Sequence, residues 1–302
     1  GIITAIKVFA NSPAFEAGML PGDILYQVDG ETVTGKDLDL VVKENIRGEE
    51  GTYVDITVLR GENAEETPLH VERRSIEVPT VEYQMLENQV GYIYVTQFDE
   101  VTAKQFEDAI DDLEDQGMEK LVIDLRNNPG GVLDTAVEML AYVLPEDKLD
   151  GMLVYTADKN GEGDRYFCKD GKIQRESDDG SRDSRYPKED DHELDVPLAV
   201  LVNGNSASAS EVFTGAVMDY DAGIVVGTTT FGKGIVQNLI PLGDGTAIKL
   251  TTAHYYTPNG FDLHGKGLEP DVVVEMDEEL QKKAVVELSE DNQLQAAIEA
   301  MN

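Results

Sequence analysis

A serine-rich turn in the second half of the chain has the residue types of a nucleophile site. The turn, Asn205-Ser206-Ala207-Ser208-Ala209-Ser210-Glu211, follows an apolar run at 196–202 and precedes a stretch in which apolar residues recur at helical spacing. A strand therefore ends and a helix begins around these serines. Small side chains leave room for another chain to approach, and the free N–H groups at a helix start attract negative charge. This turn suits a nucleophilic serine.

A candidate base lies 25 residues beyond Ser208, at Lys233 in the loop 228–234. A serine hydroxyl is too weakly acidic to attack a peptide unaided, and a neutral amine within hydrogen-bond reach can take its proton. The amine must then be uncharged near neutral pH. Burial among apolar groups disfavours the charged form, and Phe231, Ile235 and Val236 lie beside Lys233 in the sequence. Ser208 and Lys233 could thus act as a nucleophile and its general base.

The same residues allow two structural or binding interpretations. Gly227-x-x-x-x-Gly232-Lys233 matches a phosphate-binding P-loop as far as the lysine, but Gly234 stands where a magnesium-binding Ser or Thr should begin a helix. Residues 208–211 also match a capping box, in which Ser208 would only cap the helix. Taken alone, Ser208 and Lys233 remain undecided between catalysis and these roles.

The composition excludes several classes of protein. Asp and Glu number 60 against 24 Lys and Arg, which gives a net charge of −36. Such a surface repels nucleic acid and anionic membranes. The single Cys168 excludes a multi-cysteine site, and the four histidines lack the spacing H-x-x-x-H, so we predict no catalytic metal and no cofactor.

The apolar runs and the first residues bear on the membrane and on localisation. No apolar run approaches the roughly 20 residues of a membrane helix. Gly1 begins inside what looks like folded sequence, so we expect any native signal or anchor, and any contact with a membrane, to belong to a segment absent from this chain.

The first 77 residues alternate strand-like runs with turns. Pro13 and Gly18 bracket a short helix, a strand is predicted over 2–8, and a longer helix is predicted over 36–46. This unit resembles a PDZ domain at Ser12-Pro13-Ala14, Ala17-Gly18, Gly22-Asp23 and Val28-Asp29-Gly30. PDZ domains bind a peptide C-terminus by strand addition, with the amides of a Gly-rich loop on the carboxylate. That loop and its strand would lie before Gly1, so we expect a truncated PDZ-like domain over 1–77.

A second, larger domain over 78–302 has the rhythm of an α/β layer. A strand at 91–95, a helix from 102, a strand at 120–125, a turn at 126–131 and a helix at 133–144 stopped by Pro145 follow one another. The charged region of about 156–195 predicts a surface hairpin and a mobile loop, and the acidic segment of about 277–302 predicts helix. Loops 127–131, 205–211 and 228–234 each follow a strand. Ligands collect at the carboxyl ends of strands in open α/β sheets, so the three loops predict one shared site.

Four ordered motifs resemble the C-terminal processing peptidases, also called tail-specific proteases. They are residues 206–211, 230–237 (Thr-Phe-Gly-Lys-Gly-x-x-Gln), 124–131 (Asp-Leu-Arg-Asn-Asn-Pro-Gly-Gly) and 266–271 (Lys-Gly-Leu-Glu-Pro-Asp), and the PDZ-like unit precedes them in the order of that family. The resemblance implies an α/β fold with a crotonase-like (ClpP/crotonase) core. It also implies that Ser208 is the nucleophile, Lys233 the base and Gln237 the group that orients the lysine.

The resemblance further implies the rest of the site. Backbone N–H groups of Gly130 or Gly131 and of Ala209 would form the oxyanion hole, and Glu211 and Thr230 match supporting positions. The implied function is a serine endopeptidase that forms an acyl-enzyme on protein or peptide substrates recognised by accessible C-terminal tails. Secretion, or anchoring with the catalytic domain outside the cytoplasm, is expected. The oligomeric state stays open, although members of the family assemble.

Two rival functions stay open from the sequence. One is a non-catalytic PDZ scaffold or peptide-binding protein with a crotonase-like domain. The other is a Ser-His-Asp hydrolase that uses His254 or His264, although neither accompanies a G-x-S-x-G turn.

Overall fold

The chain folds into two compact units. The computed structural model describes residues 1–10, 12–61, 63–144, 151–169, 172–185, 194–243, 245–283 and 286–302. The units are Gly1–Pro79 and Thr80–Asn302. The first has one apolar core cluster and the second has two.

The first unit is a four-stranded antiparallel sheet with two short helices. Its elements are α1 (Pro13–Glu16), β1 (Ile24–Val28), β2 (Glu31–Thr32), α2 (Leu38–Val41), which continues as a π-helical turn over Val42–Ile46, β3 (Tyr53–Arg60) and β4 (Glu65–Glu72). The strand order is β2-β1-β3-β4. Ser12 and Asp37 cap the two helices, each by accepting a backbone N–H with its side chain. The predicted strand over 2–8 is reduced to one bridge between Thr4 and Ile24.

The second unit contains twelve strands, four α-helices and a short 3-10 helix over Glu87–Gln89 within the described residues. The strands and α-helices are β5 (Val81–Met85), β6 (Val90–Val95), α3 (Thr102–Asp115), β7 (Lys120–Asp124), α4 (Leu133–Val143), β8 (Gly151–Ala157), β9 (Asp164–Lys169), β10 (Lys172–Ser177), β11 (Arg182–Arg185), β12 (Leu198–Val202), α5 (Ala209–Asp219), β13 (Ile224–Gly227), β14 (Ile235–Pro241), β15 (Ala247–Tyr256), β16 (Val272–Val273) and α6 (Asn292–Ala300). In the described part of the chain, no helix has both the length and the apolar composition needed to cross a membrane.

A mostly parallel sheet organises this second unit. Its order is β16-β13-β12-β7-β6-β5, and only the β5–β6 pair is antiparallel. Helices α3, α4 and α5 contribute to one core cluster, whereas α6 contributes to another with β6, β7, β12 and β13. Every residue of β12 is buried, as expected for a strand covered on both faces. Parallel strands end at one edge, so β6, β7, β12 and β13 all deliver their following loops there.

A second sheet of the same unit is antiparallel, with the order β11-β10-β9-β8-β15-β14. It corrects the interpretation of residues 156–195, since β9, β10 and β11 make three paired strands where a single hairpin was expected. Residues 186–193 of the region in which a mobile loop was predicted lie outside the described residues. Pro145, the predicted helix stop, also lies outside them.

The C-terminal segment differs from its prediction. Helix was expected over 277–302, but in the described part of this segment α6 spans only Asn292–Ala300. Asp291 fixes that start because its carboxylate accepts the N–H groups of Gln293 and Leu294. Leu294 and Ala297 are buried, so tertiary packing selects these turns of helix.

Candidate active site

The three predicted loops meet at the carboxyl edge of the parallel sheet. The Ala207 N–H donates to the Asn128 carbonyl oxygen at 3.0 Å, and the Phe231 N–H donates to the Ser206 carbonyl oxygen at 3.0 Å. The serine turn therefore lies between the loop after β7 and the loop after β13. The sequence placed these loops together only by the rule for open α/β sheets, and the hydrogen bonds now join them directly.

Ser208 stands in a strained backbone conformation at the start of α5. Its φ of 57° and ψ of −116° lie in a sparsely populated region for a residue with a side chain, at a cost of about 1–3 kcal/mol. An ordinary N-cap residue has extended φ and ψ angles, so a cap alone does not account for this geometry. The side chain is half-buried at the turn.

Glu211 joins the serine turn to the lysine loop. Its buried carboxylate accepts four hydrogen bonds: Oε2 from the N–H groups of Ser208 (3.0 Å) and Lys233 (2.8 Å), and Oε1 from the Thr230 hydroxyl (2.6 Å) and the Gly232 N–H (2.7 Å). One oxygen thus lies within hydrogen-bond distance of the backbones of both Ser208 and Lys233. The carboxylate half of the predicted capping box is present, and it also fixes the second loop.

Thr230 connects this arrangement to the motif at 266–271. Its hydroxyl accepts the Leu268 N–H at 2.8 Å, and its backbone N–H donates to the Leu268 carbonyl oxygen at 3.1 Å. A Cβ on Gly267 would lie 2.3 Å from the Thr230 carbonyl oxygen, so only glycine fits this close approach. The fourth sequence motif therefore supports the lysine loop from behind.

Residues 127–131, the glycine loop, pack directly on residues 205–211, the nucleophile turn. A Cβ on Gly130 would lie 2.5 Å from the Ala207 oxygen and 2.8 Å from both the Ala209 nitrogen and the Ser208 Cβ. The Gly130 N–H, however, donates to Asn128 Oδ1 at 2.8 Å. Across the described residues, the N–H groups of Gly131 and Ala209 have no hydrogen-bond acceptor. Of the three predicted oxyanion donors, these two are therefore available to bind a substrate oxygen.

The side chains of Lys233 and Gln237 are not hydrogen-bonded to Ser208. Lys233 is half-buried, and no hydrogen bond of its amine to Ser208 or Gln237 exists among the described residues. Gln237 is exposed on β14, with its amide nitrogen 3.4 Å from Thr251 Oγ1. Phe231 is 63% exposed, so it does not supply the apolar cover expected for the amine. The structure brings the loops together without aligning the three side chains.

The rival chemistries lack support in this geometry. His254 lies 3.4 Å from Asp262 Oδ2 and packs edge-on against His264, and neither ring is hydrogen-bonded to Ser208. Lys233 is followed by Gly234 and then β14, whereas a P-loop needs a helix there. In the described ranges, no group of three or more His, Cys, Asp or Glu residues is arranged to hold a metal ion.

Family comparison agrees with the motifs around this site. The model of "Peptidase family S41" matches residues 89–274, which contain all three loops. The chain belongs to peptidase family S41. The model "PDZ domain" matches residues 7–60, which confirms the resemblance seen in the first unit.

Similar proteins extend over most of this S41 chain. A Staphylococcus aureus (strain bovine RF122 / ET3-1) protein named "Probable CtpA-like serine protease" is 39% identical over 265 residues, which are 88% of this chain and 48% of that protein. The chain thus spans about half the length of the curated relatives it matches. The solved structure of a photosystem II D1 C-terminal processing protease aligns with a TM-score of 0.52 and 28% identity, covering 91% of this chain and 68% of that one. A putative S41 protease from Bacteroides fragilis shares the fold, with a TM-score of 0.59 and 19% identity over 99% and 79% of the two chains.

Several residues that position this S41 site were not assigned from the sequence. The Ser206 hydroxyl donates to the Leu125 carbonyl oxygen at 2.8 Å, and the Ser210 hydroxyl donates to the Asn128 carbonyl oxygen at 3.0 Å. The serines on either side of Ser208 therefore tie its turn to the glycine loop. The sequence showed them only as small residues of the turn, and the alternation of three serines was the available signal.

A buried ionic cluster anchors the base of the glycine loop. Arg126 bonds to Asp124 and to Asp291 at the start of α6, with an Arg126–Asp291 distance of 2.7 Å. Burial alone would lower the pKa of Arg126, but hydrogen bonds and charge from Asp124 and Asp291 outweigh it and raise that pKa. The Tyr92 hydroxyl donates to Asp124 at 2.7 Å, and burial raises the pKa of Tyr92. The arginine is thus a permanent cation beneath the site.

Proposed function

We propose that this S41 chain is a serine endopeptidase in which Ser208 is the nucleophile. The observation that carries the proposal is the strained Ser208 backbone at the start of α5, beside the N–H groups of Ala209 and Gly131, which have no acceptor among the described residues. Strain of this kind persists where the surroundings impose it, and it clusters at catalytic positions. A helix start and unpaired amides also stabilise the oxyanion that forms when a serine attacks a carbonyl carbon.

Lys233 is the general base of this proposal, and Gln237 orients it. The Lys233 amine accepts the Ser208 hydroxyl proton as the oxygen bonds to the substrate carbonyl carbon, and then returns a proton to the departing amine as the C–N bond breaks. Water next attacks the acyl-serine, and the shortened peptide leaves. Glu211 supports the dyad because it holds the backbones of Ser208 and Lys233 on one oxygen. The dyad forms when the flexible Lys233 side chain and Gln237 turn toward Ser208.

The substrate proposal rests on the first unit and on the relatives. A PDZ domain captures peptide C-termini, and one matched structure is named for C-terminal processing. These two observations support protein substrates with accessible C-terminal tails. The resemblance of the four motifs supports a crotonase-like core and action outside the cytoplasm, as a secreted or anchored form. The proposal is compatible with assembly into a homo-oligomer. The molecular mass of the native protein in solution measures the number of chains.

Cleavage of an unstructured protein tests the dyad. β-Casein is incubated with the chain and with Ser208→Ala, Lys233→Ala and Gln237→Ala, and Lys249→Ala serves as the control because Lys249 is an exposed lysine on the adjacent strand β15. Ser208→Ala and Lys233→Ala should lose at least about 10³-fold in rate, since residues of one nucleophilic unit fail together. Gln237→Ala should lose about 10-fold, since one aligning hydrogen bond is worth about 1.4 kcal/mol.

The same assay separates the proposal from its rival. A Lys233→Ala rate equal to that of the Lys249→Ala control would refute the dyad. No cleavage by the unaltered chain, together with binding of tail peptides, would favour the non-catalytic scaffold.

A further inference from the structure

Asn128 is the residue that connects the nucleophile turn, the glycine loop and strand β6. It is fully buried, with 0% of its surface exposed. Its side-chain nitrogen donates to the Val95 carbonyl oxygen at 2.8 Å, and Oδ1 accepts the Gly130 N–H at 2.8 Å. Its backbone oxygen accepts both the Ala207 N–H and the Ser210 hydroxyl, each at 3.0 Å.

The Asn128 side chain decides which amide of the glycine loop stays free. Gly130 and Gly131 are adjacent, and either N–H could in principle face a substrate oxygen. Because Oδ1 accepts the Gly130 proton, that amide is saturated, whereas the Gly131 amide has no acceptor within the part of the chain that the structure describes.

Backbone conformation makes this choice rigid. Asn127, Gly130 and Gly131 have φ angles of 61°, 93° and 150°, so the loop turns through three left-handed or glycine-only conformations. A Cβ on Gly131 would lie 1.8 Å from the Phe98 backbone oxygen, so Gly131 packs directly against the segment that follows β6. The Asn128 amide bonds to Gly130 inside this turn and is itself anchored on β6.

We propose that Asn128 is a positioning residue that reserves the Gly130 N–H and thereby assigns the oxyanion hole to Gly131 and Ala209. This inference rests on the proposed function, because an oxyanion forms only if Ser208 is the nucleophile. Asn128 does not touch the substrate. It acts by holding the Gly131 N–H in place, and a correctly placed donor of this kind is worth about 10²–10³-fold in kcat.

A covalent adduct of the unaltered chain tests the assignment directly. A peptide boronic acid forms a tetrahedral adduct with a nucleophilic serine, and one boron-bound oxygen occupies the oxyanion position. In a crystal structure of this adduct, we expect that oxygen within about 3.1 Å of the Gly131 and Ala209 nitrogens, with the Gly130 nitrogen still bonded to Asn128 Oδ1. An adduct oxygen on the Gly130 nitrogen would overturn the inference and leave the proposed function intact. The absence of an adduct on Ser208 would overturn both.

Substitution of Asn128 separates positioning from folding. Asn128→Asp keeps the shape and the acceptor for Gly130, but it places an oxygen against the Val95 carbonyl; Asn128→Ala removes both bonds. Asn128→Ala should lower kcat by about 10²-fold, leave KM within about twofold, and weaken boronate inhibition by the same factor as kcat, whereas Asn128→Asp, which keeps the Gly130 acceptor, should lower kcat less. Asn160→Asp, an exposed asparagine between β8 and β9, is the matched control.

A fall in kcat per active site with an unchanged KM distinguishes a positioning role from a loss of folded protein. Loss of folded protein would lower the concentration of titratable Ser208 without changing kcat per labelled site. Unchanged kcat per site in both Asn128 variants would overturn the inference. If neither variant folds, the adduct of the unaltered chain still decides it.

Discussion

Replacement of Glu211 by Gln should destabilise the second unit and disable the site together. The carboxylate accepts hydrogen bonds from three backbone N–H groups and one hydroxyl, two on each oxygen. A glutamine keeps one oxygen and places an NH2 group against the other pair of donors. In the more favourable orientation, the NH2 group of the glutamine faces Thr230 and Gly232. The Thr230 hydroxyl can rotate so that its oxygen accepts a hydrogen bond from this NH2 group. The Gly232 N–H then has no acceptor.

The magnitude follows from these bonds. One buried unsatisfied donor costs about 1–3 kcal/mol, and the bonds that remain weaken from about 2 kcal/mol to about 1 kcal/mol each as the charge is lost. We expect a total near 3 kcal/mol, because removing a buried charge recovers part of its desolvation cost. For a unit of this size, 3 kcal/mol lowers the unfolding temperature by about 6–12 °C.

Calorimetry of the unaltered chain and of Glu211→Gln measures this shift, with Glu119→Gln as the control because Glu119 is an exposed glutamate of the same unit. Casein cleavage should fall by more than 10-fold in Glu211→Gln and stay unchanged in the control. An unfolding temperature for Glu211→Gln within about 2 °C of the unaltered chain would refute the view that this carboxylate holds the two loops together.

Two further predictions concern buried charges in each unit. Asp291→Ala removes one of the two carboxylate partners of Arg126 and the α6 cap. It should cost about 3 kcal/mol by urea unfolding, about 2 kcal/mol from the charged hydrogen bonds and about 1 kcal/mol from the cap, whereas the exposed Asp111→Ala on α3 should change little. Equal stability of the two variants would contradict the ionic cluster. In the first unit, the hydrogen bond from Arg60 holds the pKa of Asp23 below its ordinary value, with a smaller contribution from the Leu20 N–H, while burial opposes both. A depressed folded-state pKa gives stability that is present above about pH 4 and is lost as pH falls through the folded-state value. Urea unfolding at pH 7 and pH 3 should therefore show a larger loss for the unaltered chain than for Asp23→Asn, and equal losses would contradict this account.

The sequence predicted the site loops well because their signals are local. Apolar runs marked β7, β12 and β13, and each ends at the same edge of a parallel sheet, so the amino-acid pattern alone predicted that the loops of the glycines, Ser208 and Lys233 meet. The family resemblance then chose Ser208 among three serines. Peptidase family S41 and the PDZ domain are confirmed, whereas the roles of Ser208, Lys233 and Gln237 stay predictions.

What the sequence could not predict depends on contacts between distant residues. Asn128 and Asn127 look alike in the sequence, yet only Asn128 is buried and spans from Val95 to Gly130. The short extent of α6 was not predicted either, because nothing local in the sequence distinguishes Asp291, whose carboxylate caps the helix, or Leu294 and Ala297, which are buried in the core. Gln237 was predicted from its motif alone, and a motif carries no information about which way an exposed strand residue turns.

The ionic cluster of Arg126 makes the far side of the sheet part of the same cooperative unit as the nucleophile turn. If α6 opens locally, Asp291 leaves Arg126, and the strand end that carries the glycine loop loses a fixed partner at the same moment. Amides of α6 and of the glycine loop should therefore exchange with solvent at related rates, although the two segments are far apart in the sequence. A molecule that binds and stabilises α6 would then also reduce the opening of the glycine loop, without contacting Ser208.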